Sequence, residues 1–236
     1  MPSVHHGAMA DQVSWGDAAQ WYPDVVGYGA VHDAWQAEFS RLGSLFRARP
    51  KQPANPRTAA VSNGERNAYL ILSARERKII LGLCLERSVM VSGYAPDVAV
   101  AADAAHEWLS GARPPVVAAA WPFLGSVALA AARERGDHRE AKWLHLYENH
   151  RDDRIATRLH PFVALAFHEP RLRRLSPYTS LWTLRFSATA TWPFTGSYPK
   201  VTPVATPGRY VVTTSDGRTH DETDAADTLR LVLAAL

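Results

Sequence analysis

The sequence predicts an α+β fold in which two antiparallel β-sheet units, each followed by a helix, are joined by a helical middle region. Three observations predict this fold. Runs rich in Ile, Leu, Val and Thr, bounded by short polar turns, occupy residues 68–95 and return at residues 179–216. Each set of runs leads into an Ala-rich stretch that opens with helix-start signals. The stretch between the two sets is rich in Ala and charged residues, which favour helices.

The N-terminal part of the chain is predicted to contain a tail and one helix before the first sheet. Residues 1–20 are small and polar, and we expect them to form a loosely ordered tail. A helix is predicted over Val31–Phe46, because apolar side chains recur there with helical spacing. These side chains are Trp35, Phe39, Leu42 and Phe46. The proline-containing stretch "RPKQPANPRTAA" at residues 49–60 is predicted to be a loop.

A β-meander and a second helix complete the predicted segment 21–111. The strands are "AYLILSA", "KIILGLCLE" and "SVMVSGYA", with "RER" and "RS" as turns between them. The helix that follows takes Pro96 as its first residue, with Asp97 complementing the helix dipole. Gly111 is placed to end it.

Residues 112–170 are predicted to form the helical middle region. Gly136 and the following Asp separate two helices, and Pro122 divides or begins one, because a proline inside a helix loses a hydrogen bond. A further helix is predicted to begin near Pro161 and to end before Pro170.

Residues 171–236 are predicted to return to strands and to close with a helix. "SPY" is interpreted as a turn, and the strands are "TSLWTLRFSATA", "PKVTPVAT" and "GRYVVTTSD". Thr223 is the predicted N-cap of the last helix. The two strand-then-helix ends match in outline, but capping rules alone generate such helix starts. Internal duplication therefore stays open, as does the question whether the segments form one composite domain.

Composition restricts the class of protein. The chain of 236 residues is 47% hydrophobic and 21% charged, which is typical of a globular protein. We expect neither a membrane span nor a signal peptide, and the single Cys84 fits a reducing cytoplasm. A net charge of +3, with basic and acidic residues interspersed, makes nucleic acid an unexpected partner. Formation of a homo-oligomer is left open.

The stretch "EPRLRRLSPYTSLWTLRFSATATWPF" at residues 169–194 carries the candidate site. In the predicted strand, Trp182 alternates with Thr183 and Arg185, so one interpretation is that Trp182 and its neighbours on that face are simply core. The other interpretation takes the opposite face as a ligand-binding surface, because a cation in a strand centre needs a partner. The predicted ligand-binding residues are Tyr178, Thr179, Trp182, Arg185 and Trp192.

Catalytic, metal and cofactor motifs are not found. The sequence has no G-x-S-x-G, G-x-x-x-x-G-K-[ST] or G-x-G-x-x-G pattern, so catalytic residues stay unknown and no cofactor is predicted. His145 and Glu148 have helical spacing, but a second copy of that pair is missing and no metal is predicted. Cys84 lies in an apolar run and is expected to be an inert buried thiol.

Three stretches carry a resemblance to a known family. They are "WYPDVVGYGAVHDAWQAEFSRLG", "MVSGYAPDVAVAADAAHEWLSG" and "EPRLRRLSPYTSLWTLRFS" with the later "GRYVV". Together they resemble the DUF6193 family, actinobacterial natural-product biosynthesis proteins of undefined activity, over residues 21–236. The resemblance implies no catalytic residues that can be carried over.

What the resemblance implies is a setting for the protein. The implied protein is an accessory or tailoring component of a bacterial natural-product pathway, with a ribosomal peptide as one option, that binds and positions a peptide or small intermediate. Whether it is an enzyme is left uncertain. The alternative is a non-catalytic module for self-protection or interaction that binds a protein partner.

Overall fold

The computed structural model describes residues 15–52, 55–148 and 154–236, and side chains 154–156 are left out. The α+β prediction is confirmed, because two five-stranded antiparallel sheets occur together with helices. The chain separates into two compact units that divide between Val127 and Ala128. The predicted tail lies mostly in residues 1–14, outside the described residues. Every described helix is too short or too polar to traverse a lipid bilayer.

The first unit is a meander with helices before and after it. Its strands, in spatial order, are β1 (Arg49–Pro50), β2 (Thr58–Asn63), β3 (Arg66–Leu72), β4 (Ile79–Leu85) and β5 (Ser88–Ala95). Its helices are α1 (Pro23–Val26), α2 (Val31–Arg41), α3 (Val98–Leu109) and α4 (Pro114–Ala120), with 3-10 turns at Gly16–Trp21 and Pro122–Leu124. The Trp35 and Trp108 side chains, from α2 and α3, are fully buried in its core.

Three predicted boundaries in the first unit are wrong. Helix α2 ends at Arg41 rather than Phe46, because Gly43 follows with a φ of +66°. Pro96 is outside α3, and Asp97 is its N-cap, with its carboxylate accepting a hydrogen bond from the Val100 N–H at 2.7 Å. The stretch predicted to be a loop contains β1 and the start of β2.

The second unit repeats the order of a five-stranded meander followed by a helix. Its strands are β6 (Ser176–Ser180), β7 (Thr183–Ser187), β8 (Lys200–Pro203), β9 (Arg209–Thr213) and β10 (Thr223–Asp224), in the spatial order β10-β9-β8-β7-β6. Its helices are α5 (Val127–Glu134), α6 (His138–Glu148), α7 (Arg154–Ala166), α8 (Pro170–Arg173) and α9 (Ala225–Ala234). The predicted helical middle is thus shared, with α4 in the first unit and α6 and α7 in the second.

One face of the second sheet forms the core of this unit. The sheet side chains in this core are Leu184, Phe186, Val201, Tyr210 and Val212, all buried. They pack against Trp143 of α6, Phe162 of α7 and Val232 of α9. Because strand side chains alternate between faces, the residues next to them in sequence point to the other face.

Two helix starts in the second unit differ from their predictions. Pro161 lies inside α7 instead of beginning it. The Tyr210 hydroxyl compensates for the proline: it donates to the Arg158 carbonyl at 2.9 Å and accepts from the Phe162 N–H at 3.3 Å. Asp224, and not Thr223, is the N-cap of α9, because its carboxylate accepts from the Asp227 N–H at 2.9 Å.

Candidate functional site

The β6–β7 hairpin turns at two bulky residues. Ser180 pairs with Thr183, which leaves Leu181 and Trp182 as the turn, and their φ angles are +46° and +71°. Positive φ at both central residues is typical of a type I′ turn, which normally uses Asn and Gly. Leu181 is 90% and Trp182 is 52% exposed. The interpretation of Trp182 as core is therefore wrong, and "SPY" begins strand β6 instead of forming a turn.

The predicted alternation is confirmed only after this turn, over residues 183–186. Leu184 and Phe186 of β7 are buried in the core, and Thr183 and Arg185 point to the opposite face. Tyr178 of β6 is the register partner of Arg185, so both side chains lie side by side on that face. The strand pairing therefore places a phenol ring beside a guanidinium group.

Arg185 lines a recess of about 240 Å³ in the second unit. The recess is formed by β6, β7 and β8 and by the loops after β7 and β9. Its lining residues are Tyr178, Arg185, Phe186, Gly196, Ser197, Tyr198, Lys200, Thr214, Ser215 and Gly217. This set combines two cations, two phenols and three aliphatic hydroxyls, and it contains no carboxylate among the described residues.

The guanidinium of Arg185 has no partner within the described part of the chain. Its Nε is buried and makes no hydrogen bond, and no described carboxylate pairs with it. A buried donor without a partner is costly, because it has lost water and gained nothing in return. An arginine left in this condition is ready to receive a carboxylate or phosphate group in a forked pair of hydrogen bonds.

One carboxylate that is adjacent in sequence to the lining residues is committed to its own turn. Asp216 lies between two lining residues, and its Oδ1 accepts hydrogen bonds from the Thr214 hydroxyl and from the Arg218 N–H. The hydrogen bond from Thr214 is the main reason that the pKa of Asp216 is below its ordinary value. Its charge therefore stabilises the turn that forms one wall of the recess.

Next to the recess, on the side of Tyr178, lies a group of aromatic rings. The Tyr178 ring stacks on Phe194 with centroids 4.2 Å apart, and Trp192 meets Phe194 edge-on at 5.9 Å. The Lys142 Nζ of α6 lies 4.6 Å from the Phe194 centroid. Burial lowers the pKa of Lys142. We call Tyr178, Phe194 and Trp192 the aromatic shelf.

A buried serine holds the loop that carries the shelf. The Ser187 hydroxyl, 1% exposed, accepts from the N–H groups of Thr195 at 2.9 Å and Thr189 at 3.1 Å. Gly196 follows with a φ of +91°, and a Cβ there would lie 2.3 Å from the Tyr198 ring. The loop conformation therefore depends on a hydroxyl at one end and a glycine at the other.

The structure brings some of the five predicted residues together. Tyr178 and Arg185 line the recess, and Trp192 adjoins it through Phe194. Thr179 is exposed and points to the opposite face of β6, where it pairs with Leu184. Trp182 lies in the hairpin turn.

Sequence reasoning missed the part of the recess that comes from later strands. The residues missed are Lys200, Thr214, Ser215 and Gly217. The alternation of "PKVTP", with buried Val201 next to Lys200, was a signal that Lys200 shares a face with Arg185.

Metal-binding clusters and Cys84 are the other candidate centres considered in the described part of the chain. No group of three or more His, Cys, Asp or Glu side chains converges among the described residues. Burial raises the pKa of Cys84 in β4, which disfavours the reactive thiolate.

Comparison with protein families gives a match to the C-terminal part of the chain. The model of a family of unknown function, DUF6193, matches residues 138–236, which include the whole recess. Two of the three stretches that carry the resemblance lie before the matched segment. No curated protein and no solved structure matches the chain.

Proposed function

Residues 138–236 match the model of the DUF6193 family, and from this match we propose that the chain is a cytoplasmic accessory or tailoring protein of a bacterial natural-product pathway. It binds a peptide or small intermediate by an acidic group, which occupies the recess beside Arg185. The support for the binding step is the geometry of the recess. The pathway context comes from the resemblance alone.

The unpartnered guanidinium is the observation that carries the proposal. Arg185 lines the recess with a buried Nε that makes no hydrogen bond, and Lys200 lies on the same face of the sheet. The hydroxyls of Ser197 and Thr214 add neutral donors. An anionic oxygen in the recess would satisfy the buried donor and meet two positive charges, whereas a cationic ligand would be repelled.

The recess favours holding a ligand over reacting with it. None of its described lining residues is a histidine or a carboxylate, the side chains that most often act as a general base for a hydroxyl nucleophile. A protein that fixes the acidic end of an intermediate still contributes to a reaction, because holding reactants in place removes much of the entropic barrier.

Titration calorimetry with two matched variants tests the proposal. The probes are acetate, N-acetylglycine and inorganic phosphate. Arg185→Gln should weaken binding by about tenfold or more, since a charge-assisted hydrogen bond contributes roughly 1.5–3 kcal/mol. Arg209→Gln is the control, because Arg209 lies on the same sheet face but outside the recess and donates to the Glu222 carbonyl at 2.8 Å.

The outcome separates this function from a surface effect. If the wild type and Arg185→Gln bind the probes equally well, and the circular dichroism spectrum shows that the fold is unchanged, the proposal is wrong. Equal weakening by both variants would mean that the probes sense only the general positive charge of the face, and would also count against the recess.

A protein-binding module is the second candidate function. The exposed apolar side chains Leu181 and Trp192, at 90% and 82%, favour it. In that case the paired change Leu181→Asn and Trp192→Ser should abolish a stable complex with a protein partner, whereas Arg185→Gln should leave the complex intact. If the recess instead binds an acidic ligand, Arg185→Gln should weaken binding of that ligand.

A further inference from the structure

We infer that the ligand of the recess is an aryl acid: its acidic group is joined to a planar, uncharged aromatic body that lies on the aromatic shelf. This inference rests on the proposed binding of an acidic group beside Arg185. It adds the chemical class of the remainder of the ligand and names Trp192 as the residue that selects it.

The size of the recess requires most of a larger ligand to lie outside it. Pockets that enclose drug-sized molecules measure about 300–1,000 Å³, and the recess beside Arg185 measures about 240 Å³. It has room for an acidic group with a short linker. The body of the ligand must then rest on the surface next to the mouth of the recess.

The surface on one side of that mouth is aromatic. Tyr178 belongs to both places, because it lines the recess and its ring stacks on Phe194 at an interplanar angle of 16°. Trp192 stands at 82° to Phe194 and is 82% exposed. Most of the surface of the Trp192 indole is therefore exposed, and the Phe194 ring beside it is half-buried.

The shelf is held in place before any ligand arrives. Ser187 accepts hydrogen bonds from two backbone amides of the loop, and the Thr189 hydroxyl donates to the Pro193 carbonyl at 2.8 Å. A loop fixed in this way loses little conformational freedom on binding. The exposed indole is therefore a preorganised contact that gains by covering its apolar surface.

The charges around the shelf exclude a cationic body. Lys142 lies over the Phe194 ring, and Arg185 and Lys200 line the adjoining recess. A positively charged group on the body of the ligand would lie close to these cations and would be repelled by them. A neutral aromatic body satisfies both the electrostatics and the stacking geometry of the rings.

Probe pairs that share the same type of acidic group test the inference by calorimetry. N-acetylglycine is compared with N-acetyltryptophan, and inorganic phosphate with phenyl phosphate, so that the two arms separate a carboxylate from a phosphate ligand. In at least one arm the aryl probe should bind roughly three- to tenfold more tightly, as aromatic pairing energies suggest. Trp192→Ala should remove this preference and leave binding of the non-aryl probe unchanged.

Trp182→Ala is the matched control, because Trp182 is a second exposed indole that lies in the hairpin turn outside the recess. It should leave the aryl preference intact. If aryl and non-aryl probes bind equally in both arms, or if Trp192→Ala leaves the preference unchanged, the inference fails while binding that depends on Arg185 still stands. If Arg185→Gln alters no probe, the proposed function fails with it.

Discussion

The hydroxyl of Tyr210 completes the backbone of a helix, and its removal should be costly. Pro161 lacks an N–H, and its ring crowds the preceding turn of α7. This crowding opens the series of helical hydrogen bonds at the next residue, Phe162. Tyr210, fully buried in β9, inserts its hydroxyl between the Phe162 N–H and the Arg158 carbonyl. Tyr210→Phe keeps the ring and removes only this bridge.

The magnitude follows from the two hydrogen bonds. The bond to the Arg158 carbonyl has a normal length of 2.9 Å, and the bond from the Phe162 N–H is longer at 3.3 Å. Leaving a buried backbone group unsatisfied costs about 1–3 kcal/mol. Because the second bond is weak, we expect Tyr210→Phe to lower the free energy of unfolding by about 2–3 kcal/mol in total.

Urea unfolding of the full chain measures this loss, with Tyr198→Phe as a control because Tyr198 is only half-buried. A double-mutant cycle makes the test specific. In a Pro161→Ala background the helix can close its own bond between residues 162 and 158, so Tyr210→Phe should cost at least about 1 kcal/mol less. A cost that is equal in both backgrounds, or below about 0.5 kcal/mol in the wild type, would refute this account of the proline.

The remaining predictions concern the hairpin, a surface ion pair and the loop. Replacing Leu181 and Trp182 by Asn and Gly should raise the free energy of unfolding by about 1 kcal/mol, because left-handed backbone is strained for both residues; a destabilised variant in urea titration would contradict this. The Arg77 hydrogen bond lowers the pKa of Asp24 below 3.8. This pair therefore stabilises the fold above that pH and loses its effect as pH falls through the lower, folded-state pKa. Asp24→Asn should cost at most about 1 kcal/mol near neutral pH, and in urea titrations this difference should shrink as the pH falls through the folded-state pKa of Asp24. Ser187→Ala should accelerate hydrogen exchange of the two loop amides that it accepts and weaken aryl-probe binding; unchanged exchange would show that the hydroxyl does not hold the loop.

Local periodicity was enough to predict the buried face of β7, but not the ends of the strands. The predicted strand at residues 179–190 runs across the β6–β7 turn, and β1 lies in a predicted loop. Leu184 and Phe186 alternate with Arg185, and a strand that packs on one face has no other way to arrange them. The helix starts were harder, because Pro96 suits the first position of a helix and Thr223 is as good a capping residue as Asp224. Hydrogen bonding to the backbone decides between them, and it depends on the angle at which the chain enters the helix.

The candidate site could be predicted only in part, because it joins residues that are distant in sequence. Arg185 and Tyr178 belong to one hairpin, and their proximity follows from local pairing. Lys200 and Thr214 reach them only through the meander order, which a single sequence does not reveal. Pro161 was misplaced for a similar reason, since the group that makes a proline tolerable inside α7 is on β9.

The division of labour between the two faces of the second sheet has a consequence for how such proteins diverge. The side chains that would choose a ligand, such as Arg185 and Lys200, alternate with the side chains that hold the unit together, such as Leu184 and Val201. Exchanging the first set leaves the second set untouched, so selectivity can drift over evolutionary time at little cost in stability. Under the proposed function, we therefore expect relatives that share this scaffold to bind chemically different ligands.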